Sequence, residues 1–234
     1  MSLPVRAFRA VRQRLRTRAF GRELPPVTPR EDLVGMGLPY GRWTIPATLI
    51  GPESACYLAG IGKDISFDLG LIARFGCTVH AFDPVPEAIE YARAAAAAEP
   101  RFVLHPAGLW SKDGALRFYD HREPGYVSHS ATDMHGTGKY FEAPVRSVAS
   151  LMAELGHDHV DLLKLSVEGS EYELVGNVLD EDLDVRVLAV EFAQPAPRAP
   201  IDAALARLRA ARYELVEASL PPYNWKLTFV RRAR

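Results

Sequence analysis

The segment Asp161-Leu-Leu-Lys-Leu-Ser-Val-Glu-Gly-Ser-Glu171 runs from apolar residues through a glycine turn into an acidic stretch. Asp161–Leu165 predicts a buried strand, and Ser170–Leu179 predicts the helix that follows it. Outward from this segment, strand and helix patterns alternate from about residue 54 to the end of the chain. Such alternation is typical of an α/β fold, in which right-handed crossovers place helices on both faces of a mostly parallel sheet.

Seven strands are predicted for this sheet. They are Ser54–Ala59, Thr78–Phe82, Phe102–His105, Asp161–Leu165, Val185–Phe192, Tyr213–Ser219 and Trp225–Arg231. Leu-Pro-Pro-Tyr-Asn separates the last two strands and is a hairpin signal, so the last strand is expected to be antiparallel. Leu116–Tyr119 is predicted as a short extra strand that leads into a polar loop through Gly138.

Composition and charge describe an ordinary globular chain. It has 234 residues, with 28 Lys and Arg against 29 Asp and Glu, which gives no argument for a nucleic-acid partner. Because no apolar run approaches about 18 residues, no transmembrane helix is expected. Cys56 and Cys77 fall in or beside buried strands and are interpreted as core thiols of a reduced compartment, the cytoplasm, with a disulfide as the alternative.

The first 46 residues differ from the rest, so the chain is divided into a basic helix and proline-rich arm (1–46) and a main domain (47–234). Seven arginines precede the first acid, Glu23: Arg6, Arg9, Arg12, Arg14, Arg16, Arg18 and Arg22. On a helix, one face would collect Val5, Phe8, Val11, Leu15 and Ala19. Either this face packs on its own domain or on a partner subunit of an oligomer, or the helix contacts an anionic membrane surface.

The turn Ala59-Gly-Ile-Gly-Lys-Asp64 follows the first strand of the main domain. Ligands of open parallel sheets bind beyond the carboxyl ends of the strands, and Gly60 and Gly62 permit a close backbone approach. Asp83 ends the second strand 21 residues after Gly62, where an acid can accept both ribose hydroxyls. Ile65 stands where a pyrophosphate site would have its third glycine, which disfavours a nicotinamide dehydrogenase. Asp64 caps the next helix or reaches the ligand.

Three runs, Tyr57–Asp68, Val79–Pro84 and Asp161–Glu173, closely resemble motifs of the FkbM family of S-adenosylmethionine-dependent methyltransferases. Val190-Glu-Phe192 resembles a later strand end of that family, and the likeness covers roughly residues 50–234. The resemblance implies a class I methyltransferase (Rossmann-like) fold that binds S-adenosylmethionine. It also implies O-methylation of a small-molecule or glycan hydroxyl, in a sugar-containing or secondary-metabolite acceptor.

The cofactor set implied by this resemblance contains Gly60, Gly62 and Asp83, to which we add Asp64 and Ser166. Two positions depart from the family pattern. Ser166 replaces the usual Asp of the Lys-x-Asp-x-Glu-Gly motif, and Ala193 replaces a frequent His. Because Ser166 leaves fewer carboxylates than usual to bind a metal ion, we predict that catalysis needs no metal. The alternative function is a family member that binds the cofactor, has lost catalysis and acts as a scaffold.

Transfer to a sugar hydroxyl needs a base, because the hydroxyl must lose its proton as the new bond forms. Glu168 is the leading candidate and His129 a second, while Glu171 is weighed as either a site acid or a partner of the helix dipole. Glu191 ends a buried strand at the same edge, so it requires either a partner or a role in the site.

Overall fold

The computed structural model describes residues 3–120, 129–131, 133, 136–193, 197–221 and 224–232, with backbone alone for 3–10, 22 and 224. In chain order the elements are α1 (Leu3–Glu23), β1 (Leu33–Met36), β2 (Trp43–Pro46), β3 (Ala55–Ala59), α2 (Ser66–Phe75), β4 (Thr78–Phe82), α3 (Pro86–Ala95), β5 (Phe102–His105), β6 (Gly108–Leu109), β7 (Gly114–Tyr119), β8 (Tyr140–Arg146), α4 (Val148–Leu155), β9 (Val160–Leu165), α5 (Glu171–Asp180), β10 (Val185–Ala193), α6 (Arg198–Ala210), β11 (Tyr213–Ser219) and β12 (Asn224–Arg231).

The main sheet has seven strands in the order β11-β12-β10-β9-β3-β4-β5. Strands β10, β9, β3, β4 and β5 pair in parallel, whereas β12 is antiparallel to both β10 and β11. Leu188 of β10 pairs with Leu163 on one side and Phe229 on the other. The predicted mostly parallel sheet with an antiparallel last strand is therefore confirmed.

Each face of this sheet carries its own apolar core, because alternate strand residues point to opposite sides. On one face, α4, α5 and α6 cover strand residues such as Tyr57 and Leu163. On the other, α2, α3 and β2 cover strand residues such as Leu58 and Leu162. Helices thus lie on both faces, as predicted, and the arm residue Trp43 belongs to the second core.

A strand that the sequence did not predict, β8, follows the polar loop expected from Tyr119 through Gly138. β8 pairs with β7 antiparallel and with β6 in parallel, which forms a separate three-stranded sheet. Pro144 lies inside β8, opposite Ala115 of β7. Because a proline within an apolar run usually argues against a central strand, the sequence pattern did not predict β8. Residues 121–128, at the start of this loop, lie outside the described residues.

Helix α1 does not bury the face that the sequence predicted. Phe20 stacks on Trp225 with ring centroids 3.9 Å apart, and Trp225 Nε1 donates to Thr17 Oγ1 at 3.2 Å. Val11 and Leu15 of the predicted face remain 55% and 60% exposed. At Val11 and Leu15 that face therefore does not pack on its own domain, and Phe20 contacts Trp225 instead. The side chains of Val5 and Phe8, which belong to the same predicted face, lie outside the described residues.

None of the described helices is both long and apolar enough to cross a membrane. Cys56 and Cys77 are both buried thiols, with their sulfur atoms 3.9 Å apart. The division of the chain at residue 46 stays a prediction.

Candidate functional site

A cavity of about 250 Å³, which we call the cleft, opens at the carboxyl ends of the parallel strands. The structure brings all eight predicted site residues to its wall: Gly60, Gly62, Asp64, Asp83, His129, Ser166, Glu168 and Glu191. Glu171 is not among the lining residues. Residues that lie more than 100 positions apart in the chain therefore share one site because their strands are neighbours in the sheet.

The glycine turn is held tightly at Gly60. Its N–H donates to Phe82 O at 2.9 Å, and its φ is +85°, in the left-handed region. A Cβ at this position would lie 1.9 Å from Ser166 O, so the β3 turn touches the end of β9 directly. Gly62 also has a positive φ of +57°, but a Cβ there would meet nothing within 4 Å. The first glycine therefore packs two strands together, and the second leaves open space in the cleft wall.

Asp83 faces this turn at the end of β4. Its Oδ2 accepts from Ile61 N at 2.8 Å and Gly62 N at 3.1 Å, and its Oδ1 accepts from Val85 N at 2.9 Å. Burial raises the pKa of this carboxyl, and the three amides oppose that rise. Since a carboxylate oxygen accepts about two hydrogen bonds, Oδ1 keeps one free position for a ligand hydroxyl. The carboxylate both shapes the turn and lines the cleft.

Asp64 has the capping role and also lies in the cleft wall. Its Oδ1 accepts from Ser66 N at 2.9 Å at the start of α2. A Cβ on Gly41 would lie 2.4 Å from Asp64 Oδ2, so the arm presses directly on this carboxylate. Leu38 N also donates to Ser66 Oγ at 2.7 Å. The arm between β1 and β2 therefore closes one side of the cleft.

Lys164 lies at the centre of a buried charge cluster in the cleft wall. Its ammonium group donates to Gly60 O at 2.6 Å and Ala59 O at 3.1 Å, and it lies 5.8 Å from the centre of the Trp43 ring. Burial lowers the pKa of Lys164, while Asp68 and Glu191 act to raise it. Burial in turn raises the pKa of Asp68 to about 6. The positive charge of Lys164 is thus balanced by the nearby buried acids Asp68 and Glu191.

Glu191 has a charged partner, the lysine Lys226. Its Oε2 lies 3.6 Å from Lys226 Nζ, because the two residues face each other across β10 and β12. Lys226 Nζ also donates to Tyr40 O at 2.9 Å and lies 4.9 Å from the centre of the Trp43 ring. This pair therefore connects the sheet edge to the arm.

Glu168 occupies a conformation that few non-glycine residues adopt, with φ +44°. Its carbonyl accepts from Ser130 Oγ at 2.7 Å, which fixes the loop that carries His129 against the β9–α5 turn. His129 Nε2 lies 3.4 Å from Asp120 Oδ1. Strained backbone concentrates at functional sites, where surrounding contacts hold it. The strain at Glu168 is therefore consistent with a side chain held in a required position.

Glu171 is a structural acid. It is 1% exposed, and its Oε2 accepts from Gly169 N at 2.7 Å. Burial raises its pKa to about 7, although the amides of Gly169 and Ala193 favour the ionised form. Through these amides the carboxyl joins the β9–α5 turn to the end of β10. Because Glu171 does not line the cleft, the structure does not support its role as a site acid, which was one of the two roles weighed for it.

Sequence reasoning missed several lining residues, among them Tyr40, Trp43, Asp68 and Lys226. Asp68 had a signal, since an acid at the buried position of an amphipathic helix needs a reason to be there. Tyr40, Trp43 and Lys226 had none, because they reach the cleft only through the docking of the arm and the β12 pairing.

The charge of the cleft suits a cationic ligand. Five acids line it (Asp64, Asp68, Asp83, Glu168 and Glu191) against three lysines (Lys63, Lys164 and Lys226). An excess of carboxylates in a partly closed cavity attracts positive charge. The open space at Gly62 leaves room for a ligand beside the turn.

Comparison with curated proteins finds probable methyltransferase-like protein 24 of Homo sapiens, 24% identical over 142 residues, which are 61% of this chain and 32% of that protein. The protein of the same description from Rattus norvegicus is 26% identical over 127 residues, 54% of this chain and 29% of that protein. The chain therefore spans about a third of the length of the curated relatives it matches.

Among solved structures, the Methanococcus jannaschii fibrillarin pre-rRNA processing protein is 9% identical, with 79% of this chain and 70% of that chain covered and a TM-score of 0.46. A methyltransferase from Pyrococcus furiosus is 15% identical over 79% of this chain and 78% of that chain, with a TM-score of 0.38. The family model described as the methyltransferase FkbM domain matches residues 60–215, about two thirds of the chain. That match includes the glycine turn, Asp83 and the β9–α5 turn, and the chain belongs to the FkbM methyltransferase family.

Proposed function

We propose that the protein transfers a methyl group from S-adenosylmethionine to a hydroxyl of a sugar-containing or secondary-metabolite acceptor. The observation that carries this proposal is that one cleft joins the Gly60–Gly62 turn and Asp83 to Glu168, a carboxylate on strained backbone. The turn and Asp83 suit a nucleoside ligand, and the carboxylate of Glu168 suits proton removal from an acceptor.

Bound S-adenosylmethionine supplies a methyl group on a positively charged sulfonium. The protein's part is to bind, orient and shield it from water. The free acceptor position on Asp83 Oδ1 suits a ribose hydroxyl, the open space at Gly62 allows close approach, and the acidic lining suits the cationic centre. Positioning alone supplies a large part of the acceleration of a displacement between two bound groups.

Glu168 takes the proton that the acceptor hydroxyl loses. An alcohol is a weak nucleophile at neutral pH and is activated by a general base within hydrogen-bond reach. His129 and Glu191 lie in the same cleft wall, and Glu191 shares its charge with Lys226 at 3.6 Å. We assign Glu191 and His129 to holding the acceptor. We also propose that the reaction takes place in the cytoplasm and needs no metal ion.

Cofactor binding is tested by calorimetric titration with S-adenosylhomocysteine. Asp83→Asn places an NH₂ group where an oxygen accepts backbone amides, so affinity is expected to fall about tenfold or more. Asp202→Asn, an exposed carboxylate on α6 paired with Arg198, is the matched control and should bind as the parent does. Equal affinity in Asp83→Asn would remove the assignment of the turn to the cofactor.

Turnover tests the reaction itself. Released S-adenosylhomocysteine is measured with a panel of glycosides and polyols as acceptors, in EDTA and with added Mg²⁺. Glu168→Gln is expected to lower turnover on an accepted substrate by a factor of about 10² or more while keeping cofactor affinity. A variant that turns over as the parent does refutes the role of Glu168. Cofactor binding with no turnover on any member of the panel favours the scaffold function that Ser166 and Ala193 raise.

A further inference from the structure

The described side chains that hold helix α1 to the domain lie along one side of the helix. The anchored side consists of Gln13, which is 8% exposed, Thr17, which accepts from Trp225 Nε1, and Phe20, which is 1% exposed against Trp225. These positions follow the i, i+4, i+7 spacing of a single helix face. Arg16 adds a cation–π contact, with its guanidinium 5.9 Å from the centre of the Trp225 ring. The opposite side of the helix is therefore directed away from the domain.

That opposite side, which we call the outer face, combines apolar and basic residues. Val11 and Leu15 are 55% and 60% exposed, and Arg14 and Arg18 are exposed beside them. At about 100° per residue, Val11, Leu15 and Arg18 share one stripe, and Arg14 borders it. No ion pair found among the described residues involves Arg14 or Arg18. The outer face thus presents apolar side chains within unpaired positive charge.

We propose that the outer face of α1 binds an anionic membrane surface, with the helix lying in the plane of the headgroups. Arginine stems cover apolar surface while their guanidinium groups reach phosphates, so Arg14 and Arg18 suit the headgroup layer on either side of Val11 and Leu15. The one acid in the sequence of α1, Glu23, is its last residue and pairs with Arg198 at 3.0 Å, so it does not face this contact. The described elements include no membrane-crossing helix, and the contact is therefore peripheral.

Two other occupants fit the outer face less well. A second copy of α1 would bring arginines against arginines, and like charges in contact are destabilising. A nucleic acid would satisfy the arginines through its phosphates but would leave Val11 and Leu15 without an apolar partner. A membrane surface offers both phosphates and acyl chains at the same depth.

The anchor and the side chain of Lys226 lie on opposite faces of the sheet. Trp225 holds α1 in the core covered by α4, α5 and α6, whereas Lys226, the next residue of β12, lines the cleft. The inference does not depend on the proposed acceptor, since binding to vesicles is measured without one.

The test is co-sedimentation of the full chain with vesicles of phosphatidylcholine alone or mixed with phosphatidylglycerol. We expect binding to the mixed vesicles only, weakened by added salt. Arg14→Glu with Arg18→Glu should weaken it at least tenfold, and Val11→Ser with Leu15→Ser should weaken it about tenfold. The control pair, Arg93→Glu with Arg209→Glu, makes the same change in net charge at exposed positions of α3 and α6 and should bind as the parent does.

Each contrary result is decisive. Equal binding to both vesicle types, or equal losses in the control pair, would overturn the proposal. Unchanged binding in the serine pair would show that charge alone acts and would favour a polyanion such as duplex DNA, which is titrated in parallel. Self-association that the serine pair abolishes, measured by sedimentation velocity without vesicles, would assign the outer face to a second copy. All variants change exposed side chains, and their melting temperatures verify that they are folded.

Discussion

The ammonium group of Lys164 lies 2.6 Å from the carbonyl oxygen of Gly60, a residue 104 positions earlier in the chain. The same group donates to Ala59 O at 3.1 Å. The buried ammonium group of Lys164 therefore stabilises the backbone of the glycine turn.

Lys164→Met is expected to lower both stability and cofactor affinity. The variant leaves the carbonyl of Gly60 without its donor and Asp68 without a nearby positive charge, at a cost of about 1–3 kcal/mol in the free energy of unfolding. Urea denaturation and titration with S-adenosylhomocysteine measure the two effects. Lys226→Met is the control for affinity, because its ammonium group bonds the carbonyls of Tyr40 and Arg42 and pairs with Glu191 but does not bond the turn. Equal losses of cofactor affinity in both variants would contradict the role of Lys164.

Alanine at the two turn glycines should separate folding from binding. At Gly60 the new Cβ meets Ser166 O at 1.9 Å and the φ is +85°, so we expect a loss of about 3 kcal/mol or more in stability. At Gly62 only the positive φ opposes the change, at about 1 kcal/mol.

The Gly62→Ala variant should fold but bind S-adenosylhomocysteine on the order of tenfold more weakly, because its methyl group enters the open space beside the turn. Melting temperature and calorimetric affinity distinguish the two outcomes. Similar melting temperatures for both variants would mean that the contact between Gly60 and Ser166 is not a constraint.

Glu171 predicts a stability that falls as pH rises. Its folded pKa of about 7 exceeds the ordinary 4.5, so its contribution is full below pH 4.5 and is lost as pH rises towards 7. The difference between these two pKa values corresponds to about 3 kcal/mol in the free energy of unfolding. In Glu171→Gln the side chain cannot ionise, so the difference in free energy of unfolding between variant and parent should shift in favour of the variant between pH 5 and about 8. Urea titrations at several pH values measure it, and a pH-independent difference would refute the assignment.

His80 predicts the opposite dependence. Burial, together with the nearby His105 and His157, lowers its pKa to about 4, and its Nδ1 lies 3.0 Å from His105 Nε2. The unfolded chain takes up a proton below about pH 6.5 while the folded chain does not, so stability is full above pH 6.5 and is lost as pH falls towards 4. The loss is up to about 3 kcal/mol.

His80→Asn should therefore resist acid better than the parent, relative to its own stability at pH 7.5. His159→Gln, outside this cluster, is the control. If His80→Asn loses as much stability on acidification as the parent, the source of acid sensitivity lies elsewhere.

Local pattern predicted most of the sheet because each strand and helix carries its own periodicity. The run from Val187 to Val190 is continuously apolar, and it lies in the buried strand β10 that such a run implies. The strand β8 escaped prediction because Pro144 interrupts its pattern, and it is stabilised by pairing with β6 and β7 rather than by propensity. The bounds of the predicted strands agree with the structure to within one residue, except that β7 starts two residues earlier than predicted.

The site was predictable where residues stand at strand ends and unpredictable where contacts join distant segments. Gly60, Asp83 and Glu168 follow strands, so their convergence at one edge follows from a parallel sheet. The pairing of Glu191 with Lys226 depends on the register between β10 and β12, and no local pattern encodes that register. Likewise, the exposure of Leu15 depends on which partner Trp225 stacks against.

The docking of the arm has a practical consequence for anyone who prepares a shortened version of this protein. Trp43 and Ile45 are 3% and 0% exposed within the core that covers Leu58 and Leu162, and Thr228 Oγ1 donates to Thr44 O at 2.8 Å. A fragment trimmed to residues 47–234 would lose an indole and an isoleucine from its interior and uncover the lysines beneath them. Expression trials that aim for crystals should therefore keep the arm, together with α1, whose Phe20 covers Trp225.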